Sequence, residues 1–363
     1  MRIPLNDLKR HHQPLASELT AAVNRVLSSG WYILGPEVEA FEDEFARYCG
    51  VAHSIGVGNG TDALELALGA LEVGPGAEVA TVANAGMYST TAILRAGAVP
   101  LYVDVDERSM TMSPAALDAA LSGSHPAAAI VTHLYGRMAE IEELLAIAGK
   151  ANLPVIEDAA QAHGAERAGR KAGSWGTLGC FSFYPTKNLG AAGDGGAVVT
   201  ADAALARRIR ALRQYGWTER FQSAVAGGRN SRLDEMQAAV LRAKLPHLDG
   251  WNARRREIAR VYQKALGRPA VDSLDDVAHL YVIRWKNRER IRSAFAAAGI
   301  QTDVHYPMPD HRQESLRGVA FRRTDLPVTE ACAAEVLTLP CFPEMTDREA
   351  GEVAELLFRL QLV

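Results

Sequence analysis

The feature that most constrains the fold of this 363-residue sequence is an alternation of short apolar runs with segments of helical periodicity. Runs that are apolar at every position indicate strands buried on both faces, and intervening helices allow such strands to lie parallel. The runs lie at 79–82, 99–103, 127–133, 154–157, 178–183 and 196–200. The alternation therefore predicts an α/β domain built on a mainly parallel sheet.

The C-terminal third of the chain follows a different pattern. Two long helical segments, 232–245 and 250–266, meet near Pro246 and precede a strand-like run, a helix, a Pro-rich segment and a closing helix. A chain of this length also exceeds the size of one ordinary core. We expect a large α/β domain over 1–248 and a smaller α+β domain over 249–363.

Composition excludes several classes of function. The formal net charge of -4 lacks the clustered basic excess that binding to nucleic acid requires. The cysteines are scattered, with no C-x-x-C pair and no histidine at metal-binding spacing, so neither a disulfide framework nor a metal site is expected. The sequence has no run of about 18 apolar residues and no apolar N-terminal signal, which favours a cytoplasmic protein without a membrane span.

One constellation fits the chemistry of pyridoxal phosphate. Asp158 ends a predicted strand, Ser182 ends another, and Lys187 follows an apolar stretch and precedes a glycine-rich turn. The cofactor needs an amine for a Schiff base, an anion for its ring nitrogen and donors for its phosphate. By spacing alone, Asp158 is equally an acid in a turn or helix cap, and Lys187 a solvated surface lysine.

Residues near this constellation extend the interpretation. Gly60 and Thr61 open a helix whose N-terminal N–H groups suit a phosphate, although an ordinary helix cap is the alternative. Gln161 and His163 follow Asp158 closely enough to reach a cofactor ring or its phenolic oxygen. The sequence GVGNGT at 56–61 lacks the third glycine of a dinucleotide-binding fingerprint, and there is no Walker A sequence.

Two further loops allow alternative interpretations. Asn230 precedes a helical segment and could cap it. His305 and Tyr306 lie in a Pro-rich loop, which forms either the rim of a substrate site or a loop docked on the large domain.

Several segments, in order along the chain, resemble the DegT/DnrJ/EryC1/StrS family of sugar aminotransferases. The resemblance implies a fold-type I pyridoxal phosphate enzyme, similar in architecture to aspartate aminotransferase. The segments are GVGNGTDALELAL (56–68), PLYVDVD (100–106), IEDAAQAHGA (156–165), FSFYPTKNLGAAGDGGAVVT (181–200), NSRLDEMQAAVLRAKL (230–245) and LPCFPEM (339–345).

The resemblance assigns roles to the residues of the constellation. It implies that Lys187 carries the cofactor and moves a proton between cofactor and substrate, that Asp158 holds the pyridine nitrogen, and that Gln161 lies beside the ring oxygen. It also implies that Gly60, Thr61 and Ser182 bind the phosphate. Asn230 is implied to bind the phosphate of the other subunit, across the interface of a homodimer.

The substrate side departs from the family pattern at one position. Relatives often carry an aromatic residue where this chain has Gly86, which cannot stack on a ring. Either Tyr88 stacks on the cofactor instead, or the ring is covered in a different way. The candidate substrate contacts are His163, Tyr184, His305 and Tyr306.

The function implied by the resemblance is amino transfer from L-glutamate to a keto group of a nucleotide-linked deoxysugar. The segment FYPTKNLGAAGDGG is similar to the branch that aminates 3-keto-6-deoxyhexoses. Alternatives are a 4-keto sugar nucleotide, a cyclitol ketone, a sugar dehydratase or a regulatory protein. Lys187 argues against the dehydratase, in which histidine replaces it, and the lack of a basic recognition helix argues against a DNA-binding regulator.

Overall fold

The computed structural model describes residues 2–269 and 273–361. The strands are β1 (His53–Val57), β2 (Glu78–Thr81), β3 (Val99–Tyr102), β4 (Ala128–Thr132), β5 (Val155–Asp158), β6 (Glu166–Arg167), β7 (Arg170–Lys171), β8 (Leu178–Ser182), β9 (Gly196–Thr200), β10 (Trp217–Glu219), β11 (Gln222–Ser223), β12 (Tyr281–Arg284), β13 (Arg322–Arg323) and β14 (Val336–Leu339). The helices are α1 (Leu8–His12), α2 (Ala16–Ser29), α3 (Pro36–Cys49), α4 (Gly60–Ala70), α5 (Tyr88–Arg95), α6 (Pro114–Leu121), α7 (Ile141–Lys150), α8 (Ala203–Leu212), α9 (Glu235–Lys244), α10 (Leu248–Ala265), α11 (Arg288–Ala297), α12 (Pro327–Glu335) and α13 (Asp347–Gln361).

The central sheet has eight strands in the order β1-β9-β8-β5-β4-β2-β3-β13. From β8 to β13 every neighbouring pair is parallel, and β9 runs antiparallel to both β1 and β8. Each of the predicted apolar runs coincides with a strand of this sheet, so the prediction of a mainly parallel α/β sheet is confirmed. The predicted runs did not include β1 or β13. The two residues of β13, Arg322 and Arg323, are exposed arginines at the sheet edge.

Helices cover both faces of the sheet. Successive residues of a strand point to opposite faces, so Val155 of β5 packs in a cluster with α3, α7 and α9, whereas Ile156 packs in a second cluster with α4, α5 and α8. The apolar runs lack a polar alternation because neither face meets water. The result is a three-layer domain with its ligand-binding edge at the carboxyl ends of the strands.

A third hydrophobic cluster lies in the C-terminal part of the chain. It joins α10, α11 and α13 to β12 and β14, together with Ile3 from the N-terminus. We propose that 249–363 forms the smaller α+β domain around this cluster. The part of this region near β13 instead joins the large sheet, where Leu316 and Leu326 pack on Tyr102.

Within 2–269 and 273–361, no helix has the length and hydropathy needed to cross a membrane. Nor do these ranges bring three His, Cys, Asp or Glu side chains together in a way that could hold a metal ion. Cys49, Cys180, Cys332 and Cys341 are free and buried.

A buried glutamate binds the backbone of the loop that precedes β8. Glu157 is completely inaccessible and accepts hydrogen bonds from the backbone N–H groups of Gly173, Trp175 and Gly176, at 2.8, 2.6 and 2.6 Å. His133 donates a further hydrogen bond from Nε2 at 2.8 Å, because its Nδ1 accepts from the backbone of Ala139. Glu157 thereby fixes the end of β5, on which the next residue is Asp158.

We expect Glu157→Ala to lower the free energy of unfolding by about 3 kcal/mol, because several buried donors lose their acceptor. The measurement is the free energy of unfolding from urea denaturation, obtained from the midpoint and the slope of the transition. Glu157→Gln keeps one acceptor oxygen and is expected to lose less. The exposed Glu143→Ala on α7 is the matched control, with a change below about 0.5 kcal/mol; an equal loss in both alanine variants would contradict the role of Glu157.

Candidate active site

A cavity of about 530 Å³ opens at the carboxyl ends of β4, β5 and β8. The last residues of these strands, Thr132, Asp158 and Ser182, lie in its wall. Gly60 and Thr61 at the start of α4 complete the wall on one side. The fold thus gathers groups from distant parts of the sequence at the edge where open parallel sheets bind ligands.

Most of the predicted site residues lie in the wall of this cavity: Gly60, Thr61, Tyr88, Asp158, Gln161, Ser182, Tyr184, Lys187, His305 and Tyr306. Asn230 does not line it, and its side chain is exposed elsewhere on the surface. A contribution of Asn230 to the site of a second subunit stays a prediction.

His163 also lies outside the cavity wall. Its ring is completely buried against Phe181 and Phe183, with centroid distances of 5.3 and 5.8 Å. Burial lowers the pKa of His163 to about 3, although a contact with the backbone of Ser182 acts in the opposite direction. A neutral packing residue fits this position, which gives no support to the expected contact with a substrate.

The amine of Lys187 is the candidate reactive group of the cavity. Burial lowers the pKa of Lys187 to about 8, while the nearby carboxylate of Asp158 acts in the opposite direction. No hydrogen bond or ion pair of this amine is found within the described part of the chain, so it is available to a ligand. A substantial neutral fraction near neutral pH makes it a competent nucleophile toward an aldehyde.

Lys244 shows that a lowered pKa does not by itself identify the reactive lysine. Burial also lowers the pKa of Lys244 to about 8. Its amine is committed, however, to the carbonyl of Gly190 at 2.6 Å and to His12 Nε2 at 3.0 Å, and it does not line the cavity. Access to the cavity therefore distinguishes Lys187.

Asp158 supplies the buried carboxylate opposite this amine. Its Oδ1 accepts from the backbone N–H of Ala160 at 3.2 Å, and its Oδ2 from Thr132 Oγ1 at 3.4 Å. Burial raises the pKa of Asp158, whereas the N–H of Ala160 and the charge of Lys187 favour the ionised form. A bound cation such as a protonated ring nitrogen would favour the carboxylate further.

The start of α4 forms a cradle that only glycine fits. A Cβ atom on Gly60 would lie 2.6 Å from the Cβ of Ser182, so a larger residue would clash with Ser182 and block a ligand from this end of the helix. Asn59 caps the helix by accepting from the N–H of Asp62 at 2.9 Å, and Asn59, Gly60 and Thr61 line the cavity. Backbone N–H groups and the helix dipole make this end of α4 suitable for a phosphate.

Tyr306 occupies the space that Gly86 leaves free. A Cβ on Gly86 would lie 2.8 Å from the ring of Tyr306, and the φ angle of +80° at Gly86 also favours glycine. Gln161 donates to the Tyr306 hydroxyl at 3.2 Å and accepts from the backbone of Tyr135 at 2.6 Å. Tyr88 meets Tyr306 edge to face, with centroids 6.2 Å apart, and its stacking on the cofactor stays a prediction.

Sequence reasoning missed His279, which lines the cavity from the C-terminal part of the chain. Its Nδ1 lies 2.9 Å from Oδ1 of Asn188, the residue after Lys187, and Asn188 also donates to Asn252 at 2.8 Å. Burial lowers the pKa of His279, so the ring is a neutral hydrogen-bonding group. Because 91 residues separate His279 from Asn188, no local pattern could indicate the contact. Thr132, by contrast, was detectable as a polar residue at the end of an apolar run.

These residues fit pyridoxal phosphate. The cavity provides an unpaired amine, a buried carboxylate and a glycine-lined helix start, which match the aldehyde, the ring nitrogen and the phosphate of that cofactor.

Comparisons with known proteins agree with this geometry. The profile of the DegT/DnrJ/EryC1/StrS aminotransferase family matches residues 13–358. The "erythromycin biosynthesis sensory transduction protein EryC1" of Saccharopolyspora erythraea is 45% identical over 359 residues, covering 97% of both chains. The "dTDP-3-amino-3,4,6-trideoxy-alpha-D-glucose transaminase" of Streptomyces venezuelae is 44% identical over 361 residues, covering 98% of this chain and 95% of the other.

A solved structure extends the similarity to the backbone. The crystal structure of S. venezuelae DesV in complex with a ketimine intermediate has a TM-score of 0.94 and 43% identity, covering 99% of this chain and 98% of that one. The similarity therefore includes both the cavity and the C-terminal region.

We expect pyridoxal phosphate, added to the apoprotein and trapped with borohydride, to label Lys187, with a rate that rises with pH through about 8 as the amine loses its proton. Peptide mapping locates the label. Lys244, with a similar pKa but no cavity, is the internal control and is expected to stay unlabelled. Asp158→Asn removes a carboxylate that raises the pKa of Lys187 and is expected to shift the pH profile of labelling to lower pH. A label on Lys244 would contradict the assignment of Lys187 as the reactive lysine.

Proposed function

Since this chain belongs to the DegT/DnrJ/EryC1/StrS aminotransferase family and is a pyridoxal-phosphate-dependent aminotransferase, we propose that it transfers an amino group from L-glutamate to the 3-keto group of a nucleotide-linked deoxysugar. The observation that carries the proposal is near end-to-end similarity to a 3-amino sugar transaminase together with a cavity that retains Lys187 and Asp158. The reaction proceeds as two half-reactions, one with the donor and one with the sugar.

Different residues of the cavity would bind the cofactor and transfer the proton. Pyridoxal phosphate, when bound, supplies an aldehyde and an electron-withdrawing ring. Asp158 would hold the ring nitrogen in its protonated form, and the start of α4 together with Ser182 would bind the phosphate. The amine of Lys187 would hold or release a proton at Nζ during the transfer, a role for which a pKa of about 8 is suitable.

Three residues at the open side of the cavity are proposed as sugar contacts. Tyr184 is half exposed at the mouth, and Tyr306 presents a hydroxyl beside Gln161. His305 binds Thr338 Oγ1 through Nδ1 at 2.8 Å, which leaves Nε2 for a ligand, and burial lowers its pKa so that the ring is neutral. Cofactor and hexose together occupy a cavity of about 530 Å³, so the nucleotide extends toward the surface.

An exposed aromatic surface supports a homodimer. Trp31, Tyr32, Tyr215 and Phe221 are 57%, 48%, 43% and 71% exposed. They flank the segment 229–234, because Ile33 pairs with Asp234 and the N–H of Tyr215 donates to the carbonyl of Arg229 at 3.1 Å. Apolar surface of this kind marks an interaction site. A second copy seated there would receive the side chain of Asn230, which lies within the same segment.

We expect the purified protein with L-glutamate to aminate a 3-keto sugar nucleotide and to leave a 4-keto isomer and a cyclitol ketone largely unreacted. The product is identified by mass spectrometry and by NMR of the aminated carbon. Lys187→Ala is the inactive control. Amination of the 4-keto isomer alone would refute the regiochemistry, and turnover of the cyclitol ketone alone would refute the nucleotide-linked substrate.

We expect Asn230→Ala to weaken binding of pyridoxal phosphate about 10-fold, through loss of a charge-assisted hydrogen bond. Equilibrium titration followed by absorbance measures the dissociation constant, and the exposed Asn287→Ala in the small domain is the matched control. Mixed dimers of Asn230→Ala and Lys187→Ala subunits should regain tight binding at one site per dimer. No recovery in verified mixed dimers would contradict a site shared between subunits.

A further inference from the structure

The helix that forms the phosphate cradle carries an acid in its first turn. Asp62 is only 7% exposed and lies two residues after Gly60. An unpaired carboxylate at this place would repel a phosphate, and the repulsion is strong where water is excluded. The structure shows how the charge of Asp62 is compensated.

The residues on either side of Asn230 bind Asp62. The Arg229 guanidinium donates to Asp62 Oδ1 and to Glu65 Oε2 of the same helix. The Ser231 hydroxyl donates to Asp62 Oδ2 at 2.6 Å, and its oxygen accepts from the N–H of Gly58 at 3.0 Å. Both oxygens of one carboxylate are therefore engaged by the neighbours of Asn230.

The backbone of this segment is anchored as well. The N–H of Arg229 donates to the carbonyl of Leu212 at 2.8 Å, and the N–H of Ser231 donates to the carbonyl of Arg213 at 2.9 Å. Asn230 lies between these anchored residues with its side chain exposed. The backbone contacts set the path of the segment, and the carboxylate of Asp62 fixes the side chains on both sides of Asn230.

We propose that Asp62 is a positioning residue for the site of the other subunit, because it holds Arg229 and Ser231 and so directs Asn230 outward. The inference rests on the proposed function, in which Asn230 donates to the phosphate bound by a second copy of this chain. One carboxylate then links the phosphate helix of its own subunit to the donor that this subunit supplies across the interface.

The proposal predicts opposite effects of Asp62→Asn on the two sites of a dimer. In the subunit that carries it, the substitution removes a negative charge from the start of α4, which leaves phosphate binding unchanged or strengthens it. In the other subunit, it loosens the incoming Asn230 and weakens phosphate binding. An acid that merely stabilised its own helix would not weaken the site of the other subunit.

The test uses mixed dimers in which only one site can bind the cofactor covalently. One subunit carries Lys187→Ala with Asp62→Asn, and the other is unmodified. The working site then has its own intact α4 but receives Asn230 from the altered subunit. We expect its dissociation constant for pyridoxal phosphate, measured by absorbance titration, to be about fivefold higher than in a dimer with Lys187→Ala alone.

Matched variants separate the possible outcomes. Ser231→Ala in place of Asp62→Asn should raise the dissociation constant in the same direction, and the exposed Glu72→Gln should not change it. Placing Asp62→Asn in the subunit with the working Lys187 should not weaken binding. If Asn230→Ala in the altered subunit weakens the working site and Asp62→Asn does not, the inference on Asp62 fails and the shared site stands. If neither weakens it, both fail.

Discussion

Two adjacent buried carboxylates at the end of β5 are the constraint on which the site depends. Glu157 binds the loop behind the sheet through three backbone N–H groups and His133. Asp158, one residue later, faces the cavity and the amine of Lys187. Consecutive strand residues point in opposite directions. The end of β5 therefore supplies one carboxylate that holds the loop, Glu157, and one that faces the cavity, Asp158. Each carboxylate is stable in the interior only because donors or a cation compensate it.

Desolvation acts on several groups of this protein, but access decides which of them is reactive. Lys187 and Lys244 both have a pKa lowered by burial, yet only Lys187 meets the cavity. The same contrast separates His305, at the cavity wall, from His163, which packs on aromatic rings behind it. A perturbed pKa therefore supports a functional role only together with a route for the ligand.

Local sequence patterns predicted six of the eight strands of the central sheet, because strands that are apolar on both faces are visible in the sequence. They missed β1 and β13, and the two residues of β13 are exposed arginines at the sheet edge. A helix start and the strand ends indicated Gly60, Asp158 and Ser182 among the predicted residues of the cavity wall. His305 and Tyr306 were indicated by a Pro-rich loop, and Tyr88 by comparison with the family pattern. His279 escaped detection, since its contact with Asn188 joins distant parts of the chain.

The sequence by itself determined the mainly parallel sheet, the family and the lysine and acid of the site, because these follow from local periodicity and from continuous motifs. The tertiary structure alone decided how Tyr306 packs on Gly86, that His163 lies behind the cavity, and that Asp62 joins Arg229. These contacts join residues far apart in the chain, or depend on which side of a wall a side chain faces. Local patterns record whether a residue is buried, whereas the fold determines which residue it meets.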